Sequence, residues 1–309
     1  ARFTGMLSVG ILSYNTAAKL RKCLESLHAH LPDVPVLVLD NASTDDSCAM
    51  VTREFPGIRL CRSSENLFFA RGCNRIAELC TTPYVLLMNA DVFLGDASIM
   101  AIVKYMEENP NIIATSPLIR DGARLWHMAS GIITPWRCIA RDSIAGRVLR
   151  KTRWFRRVMF EDMPIDGIFI VPKITNSCCV IRRNEFIKAG GFSCGQILYW
   201  TEEEFAQRMM HLGYLQAVYG KAVVGHEHGS STGTLPKSLI RAIHVRDRIH
   251  YMQRTYGFPA VLMVEGMLML RFQIWKSIAD YFHLIRHYRE IKGFVSRIGS
   301  GVNRPLTGQ

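Results

Sequence analysis

The chain has 309 residues, 49% of them hydrophobic, which is enough for one large globular domain or one domain with an extension and excludes a disordered class. A net charge of +12 draws it toward polyanions: nucleic acid, an anionic membrane face or phosphorylated substrates. Nine cysteines are an odd number, none pair as CxxC and Cys178 adjoins Cys179, which argues against a disulfide framework or zinc knuckle and suits a reducing cytosol.

In chain order, "ARFTGMLSVGILSY" lacks the long apolar core and cleavage site of a signal peptide and is expected to open the fold. Its strand, 7–14, leads into a helix over 16–31 with Leu20, Leu24, Leu27 and Leu31 at helical spacing. The pattern recurs as "VPVLVLD" then "DDSCAMVTREF", "IRLCRS" then "ARGCNRIAELC", and "YVLLMNAD" then "ASIMAIVKYMEE". Apolar strands alternating with amphipathic helices predict an α/β fold with a mostly parallel central sheet flanked by helices. Ligands of such sheets bind beyond the strands' carboxyl ends, which here read "SYN" (13–15), "DNASTD" (40–45), "SSEN" (63–66) and "NAD" (89–91).

The second half is less regular. "RCIARDSIAGRVLRKTRWFRRV" (137–158) has eight Lys or Arg against one Asp and reads as one basic amphipathic segment. Strand-like "GIFIVP" and "SCCVIRR", the turn "AGGF", the acidic helix start "WTEEEFAQRMMHLGY" and "KAVVGHEHGSST" follow. From about Pro236 the chain reads as helical, with eleven Lys or Arg against four acids in 240–309. The expected division is 1–235, with halves 1–110 and 111–235, followed by a basic helical extension, 236–309. In 259–275 Glu265 and Arg271 interrupt the roughly 20 apolar residues that a membrane span needs, so a peripheral helix is expected there.

Taken in order, "SYN", "DNASTDDS", "ENLFFARGCNRI", "NAD", "YWTEEEFAQR" ahead of "GY", and "HEHGSS" resemble the family 2 inverting glycosyltransferases with the GT-A fold, and the rhamnose-transferring variants in particular. The resemblance spans roughly residues 6 to 232. It implies a nucleotide site made of Ser13, Tyr14, Asn15, Asp40, Asn41, Ser43, Asn66, Arg71, Asn74, Asn89 and Ala90, with Asp40 accepting the imide N–H of uracil or thymine. Asp45 and Asp46 are expected to cap the following helix instead.

The resemblance also implies Mg²⁺ or Mn²⁺ on Asp91, the last residue of a DxD-like motif whose first position is Asn89 here. His226 is the expected second ligand, with His228 as the alternative. Counting back from Arg208 puts Glu202 at the general base of an inverting transfer; Glu203 stays open for that role, and Glu204 falls on the motif's final acid. Three glutamates in a first turn also complement the helix dipole with no catalytic part. Phe68 stands where the family tends to carry glycine.

The implied partners are a dTDP- or UDP-sugar donor and a glycan acceptor, expected to be linked to a lipid diphosphate and used in cell-surface polysaccharide synthesis. The basic apolar stretches suggest peripheral attachment to the anionic inner face of the plasma membrane. A solvated basic face packed on the core or on a second subunit, as in a homo-oligomer, is the competing account. Two rival functions are an inactive sugar-nucleotide-binding partner subunit and a nucleic-acid-binding protein; no nucleic-acid motif supports the latter.

Overall fold

The computed structural model describes residues 4–163, 165–175, 177–226, 236–270 and 274–300. The first half follows the predicted alternation: β1 (Leu7–Ser13), α1 (Ala17–His30), β2 (Val36–Asp40), α2 (Ser47–Glu54), β3 (Arg59–Arg62), α3 (Phe68–Leu79), β4 (Tyr84–Asn89), β5 (Val92–Leu94) and α4 (Ile99–Glu108). The chain continues through β6 (Ile112–Asp121), β7 (Arg124–His127), β8 (Ala129–Ser130), α5 (Pro135–Asp142), α6 (Ile144–Leu149), α7 (Arg153–Val158), β9 (Ile168–Val171), β10 (Lys173–Ile174), β11 (Cys178–Arg182), α8 (Arg183–Lys188), α9 (Thr201–His211) and β12 (Leu215–His226). The last described elements are α10 (Lys237–Tyr256), α11 (Phe258–Leu270), α12 (Ile274–Arg286) and α13 (Tyr288–Ser300).

The main sheet runs β3-β2-β1-β4-β11-β6-β12-β5, with β7 on β6 and β9 on β12. Strands β1 to β4 are mutually parallel, β11 is antiparallel between β4 and β6, and β12 is again parallel to β6. Side chains alternate across it with the period of two that a pleat imposes. Tyr84, Leu86 and Met88 join α1, α2 and α4 on one face, and Val85 and Leu87 join α3, α8 and α9 on the other. Strand β1 is the switch point, with β2 on one side and β4 on the other. Its register sets Ser13 opposite Asp40 and Leu12 opposite Asn89, so both predicted acidic ends lie on one rim.

The stretch 137–158 is not one amphipathic helix. Three short helices divide it, α5, α6 and α7, each entered through a Thr or Ser side chain that accepts a backbone N–H: Thr134 from Arg137, Ser143 from Gly146 and Thr152 from Phe155. Cys138, Ile139 and Phe155 turn inward onto Tyr251 of α10 and Val264 of α11, whereas Trp136 and Trp154 are 66% and 68% exposed. All nine cysteines are unpaired.

The C-terminal helices pack on the rest of the chain. Phe68, at φ 56°, stacks edge-on against Phe294 of α13 with centroids 5.1 Å apart. Within the bundle the guanidinium of Arg248 donates to both oxygens of Glu265, at 2.8 and 2.7 Å, and the Tyr281 hydroxyl donates to the same carboxylate. Glu265, which breaks the apolar run of α11, therefore ties three helices together in a buried site. Replacing it with alanine strands a buried guanidinium, and Glu265→Ala is expected to lower unfolding free energy by about 3–5 kcal/mol in urea titrations.

Candidate active site

Asp40 ends β2 only 3% exposed. Its Oδ2 accepts the Ser43 N–H at 3.0 Å, while its Oδ1 is shut off from solvent with no N–H or O–H donor on it among the described residues. That asymmetry leaves one carboxylate oxygen for an incoming donor. Burial and the Asp40 charge push the neighbouring Cys48 thiol up to about 11.

Around Asp40 the loops are tied across the rim. Asn15, left-handed at φ 51°, donates its N–H to Ser43 Oγ and accepts the Thr44 N–H. Ser13 Oγ bonds Thr16, and Asn41 joins Asn66 through its amide and takes the Leu67 N–H. Tyr14 lies at the bend between β1 and α1. Asp45 accepts from the Ser47 N–H as the expected cap of α2 and also from the Ala17 N–H of α1, and these bonds hold its carboxyl below the usual range despite burial.

Arg71, on α3, pairs with Glu65 at 3.3 Å. Asn74 is engaged elsewhere: its amide donates to the Phe192 carbonyl at 2.9 Å and accepts the Phe192 N–H at 2.8 Å, anchoring the turn before α9. Gly191 turns there at φ 64°, and a Cβ on it would stand 2.4 Å from Asn74 Oδ1.

Beyond β4, Asn89 donates its N–H to the Ser177 carbonyl, and the buried Ala90 and Asp91 follow. Strand β12 crosses antiparallel to β5 with His226 opposite Val92. It comes that close because Gly225 has no side chain where a Cβ would lie 2.1 Å from the Phe93 ring. His226 Nε2 thus reaches 3.3 Å from Asp91 Oδ1, both side chains 8% exposed or less. One carboxylate and one imidazole at the rim fit a divalent cation that draws its other ligands from a diphosphate and water. No set of three protein ligands occurs among the described residues. His228 and the rest of "EHGSS" lie outside the described residues.

The three glutamates of α9 have three different environments. Glu203 is buried and accepts from Lys173 Nζ at 2.6 Å; Lys173 holds its carboxyl below the ordinary value of 4.5 against the effect of burial. Glu204 is forked by Arg208, whose guanidinium also reaches the Ala189 and Gly191 carbonyls. Glu202 lines a cavity of about 190 Å³ together with Thr175, Trp200, Arg141 and His244. Burial raises the thiols of Cys179 and Cys73, and the Glu202 charge adds to that.

Sequence reasoning missed the residue that aims this helix. Asp247 of α10, fully buried, accepts the N–H groups of Ile197, Leu198 and Tyr199 and pairs with Arg246 at 2.9 Å. Trp200 follows at φ 67°, stacked on Tyr251 with centroids 5.3 Å apart, and α9 begins at the next residue. A lone acid among Arg246, Arg248 and Arg254 was the available signal.

Residues 8–188 match the profile of glycosyl transferase family 2. The chain belongs to that family. It is a glycosyltransferase with a GT-A-like fold. It is 27% identical over 87% of its length to the N-acetylglucosaminyl-diphospho-decaprenol L-rhamnosyltransferase of Mycobacterium tuberculosis, covering 92% of that protein. The rhamnosyltransferase WbbL of Escherichia coli is 21% identical over 73% of this chain and 86% of its own. Among solved structures, the mannosyltransferase PcManGT of Pyrobaculum calidifontis with GDP-Man and Mn²⁺ aligns at TM-score 0.54 and 15% identity, over 92% of this chain and 75% of that one. GalNAc-T7 with UDP, GalNAc and Mn²⁺ aligns at 0.57 and 15% identity over 82% of this chain and 51% of that one. At such identities these two show the fold.

The buried Lys173–Glu203 pair gives a direct test of this side of the cleft. Its folded carboxyl pKa is depressed, so its contribution to stability is full above about pH 4.5 and is lost as pH falls through the lower folded value. Lys173→Met takes away the carboxyl's hydrogen-bonded ion-pair partner, a loss of about 3–5 kcal/mol near neutrality. Burial then raises that pKa, so the deficit against wild type should shrink from pH 7 to pH 4 in denaturant titrations.

Proposed function

We propose that this glycosyltransferase moves rhamnose, with inversion, from a dTDP- or UDP-linked donor to a saccharide carried on a lipid diphosphate, in the assembly of a surface polysaccharide. The arrangement that supports this most is Asp40 and the Asp91–His226 pair at the ends of the parallel strands that flank β1, on one sheet rim. The sugar and the acceptor come from the relatives named above, two of which are rhamnosyltransferases.

In this reading the buried Oδ1 of Asp40, which accepts no N–H or O–H among the described residues, takes the imide N–H of the base, and Asn15, Asn41 and Ser43 hold the loop that carries it. Asn89, Ala90, Asp91 and His226 face the donor diphosphate. A divalent cation, Mg²⁺ or Mn²⁺, supplies Lewis-acid stabilisation of the leaving group when bound there. Glu202 accepts the proton of the acceptor hydroxyl as its oxygen bonds to the anomeric carbon, and the bond from that carbon to the nucleoside diphosphate breaks. Glu202 lines the cavity, as Glu204 does not, and Glu203 is held in a buried pair with Lys173, which favours Glu202 for that proton.

Glu202→Gln is expected to reduce transfer by about a hundred- to ten-thousand-fold while donor binding persists. Nucleoside diphosphate release measured with donor and acceptor present checks it, and a variant as fast as wild type sinks the assignment.

The same reading places the enzyme peripherally on an anionic, cytoplasmic membrane face. Among the described residues no helix is long and apolar enough to cross a membrane. Exposed Trp136, Val148 and Trp154 lie among Arg147, Arg150, Lys151 and Arg153, and Phe258 and Leu262 lie exposed on α11. Co-sedimentation with phosphatidylglycerol vesicles should be strong at low salt and fall as salt screens the charges. Absence of binding at low salt removes this part of the proposal.

A further inference from the structure

We propose that α11 and α12 form an in-plane membrane anchor, their shared apolar face sunk into the acyl layer of an anionic leaflet. The inference rests on the peripheral attachment read above and goes beyond it, since charge alone would hold the chain at the headgroups.

The two helices are 13 residues each, and three residues separate them. Glu265 is the eighth residue of α11 and Tyr281 the eighth of α12, and the Tyr281 hydroxyl donates to Glu265 at 2.8 Å. Three residues are too few to return the chain to the start of α11, about 20 Å away, so α12 runs back along α11. At about 100° per residue, Phe258, Leu262 and Met269 lie within about 60° of Glu265 around α11. Ile278 and Ile285 lie within about 60° of Tyr281 around α12, and Phe282 stands next to them. Both sets are offset from the contact in the same rotational sense, which for antiparallel helices puts them on one side of it. All six side chains are exposed, Phe282 to 66% and Ile285 to 71%.

The charges beside this face gather where α11 begins and α12 stops. Arg254, Arg286, Arg289 and Lys292 are exposed there, against Glu290 as the exposed acid among the described residues. Glu265 and Asp280 are neutralised by Arg248 and Arg241. Anionic headgroups complement that charge, whereas a second copy bearing the same cations is repelled by it. Tyr288, also exposed, adds an aromatic ring of the kind that favours the headgroup level. A helix of about 20 Å is shorter than the roughly 30 Å hydrocarbon core, so the pair lies along the leaflet and does not cross it. Val261 and Val264, on the buried side of α11, share a cluster with Cys138 and Ile139 of α5, the helix whose Arg141 lines the Glu202 cavity. The anchor thus sits one helix away from the proposed transfer site, on the side of the leaflet that holds a lipid-linked acceptor.

Sedimentation of the full chain with phosphatidylglycerol vesicles at low salt and at about 1 M salt, where charges act over only about 3 Å, tests the anchor. The wild type is expected to keep a bound fraction at high salt, and the double variant Phe282→Asp with Ile285→Asp to lose at least about tenfold in high-salt affinity. Arg147→Gln with Arg150→Gln should weaken low-salt binding and leave the high-salt fraction unchanged. Phe282→Trp should gain emission that lipids brominated in their acyl chains quench beyond the quenching of wild type. Wild-type binding that vanishes at high salt, or a high-salt fraction untouched by the acidic pair, overturns the anchor and leaves surface attachment standing; no binding even at low salt refutes both. If the double variant does not fold, Leu262→Gln on α11 takes its place with the same two readings. A lipid-free dimer that the double variant splits into monomers, with vesicle binding unchanged, assigns the face to a second copy and also overturns the proposal.

Discussion

The carboxylate of Asp247 accepts three successive backbone N–H groups, those of Ile197, Leu198 and Tyr199, from a chain segment that belongs to neither a helix nor a strand. Unsatisfied amides in so buried a place would each cost about 1–3 kcal/mol, so the segment has one strongly preferred path. That path ends at left-handed Trp200, from which α9 starts with its glutamates already aimed. Burial pushes the Asp247 carboxyl up, while the amides and Arg246 pull it back; the balance lies upward. Its donors are more than a solvated carboxylate on a helix surface would need, which fits a residue whose task is to fix a loop.

It follows that the C-terminal helices are part of the cleft. Asp247, His244 and Tyr251 all project from α10, so the start of α9 is set from outside the family-matched span of residues 8–188. Phe68 extends the same logic to the donor side. Left-handed backbone at φ 56° favours glycine, yet a phenylalanine there gives α13 a ring to pack on through Phe294. A departure from the family pattern that looks like damage at the nucleotide site is instead an attachment point for the C-terminal helices.

The features legible in the sequence are those set by local rules. Alternating apolar strands and amphipathic helices gave the α/β order, and polar residues at strand ends gave Asp40 and Asp91 on one rim, since parallel strands share an end. The sequence did not show side-chain pairings made across long separations. Nothing in "TEEEF" says that Lys173 will occupy Glu203, or Arg208 Glu204, so motif counting alone left Glu203 open beside Glu202 as the base. Asn74 entered the expected nucleotide site through its place in "ENLFFARGCNRI", and only the Phe192 main chain reveals where its amide goes. The run 137–158 read as a basic amphipathic segment without internal boundaries, whereas Thr134, Ser143 and Thr152 each start a new helix.

Charge placement connects these levels. The excess of +12 is a surface property, and it tells nothing of which cations matter. Inside, cations and acids are matched closely: Lys173 with Glu203, Arg208 with Glu204, Arg248 with Glu265. Each pair costs desolvation, and each therefore needs its partner at hydrogen-bond distance to be tolerated. Glu202 lies on the same first turn of α9, at the wall of the cavity. A carboxylate locked to a buried lysine cannot change protonation state without breaking that pair, so Glu203 serves to hold the first turn of α9 in place beside the cavity.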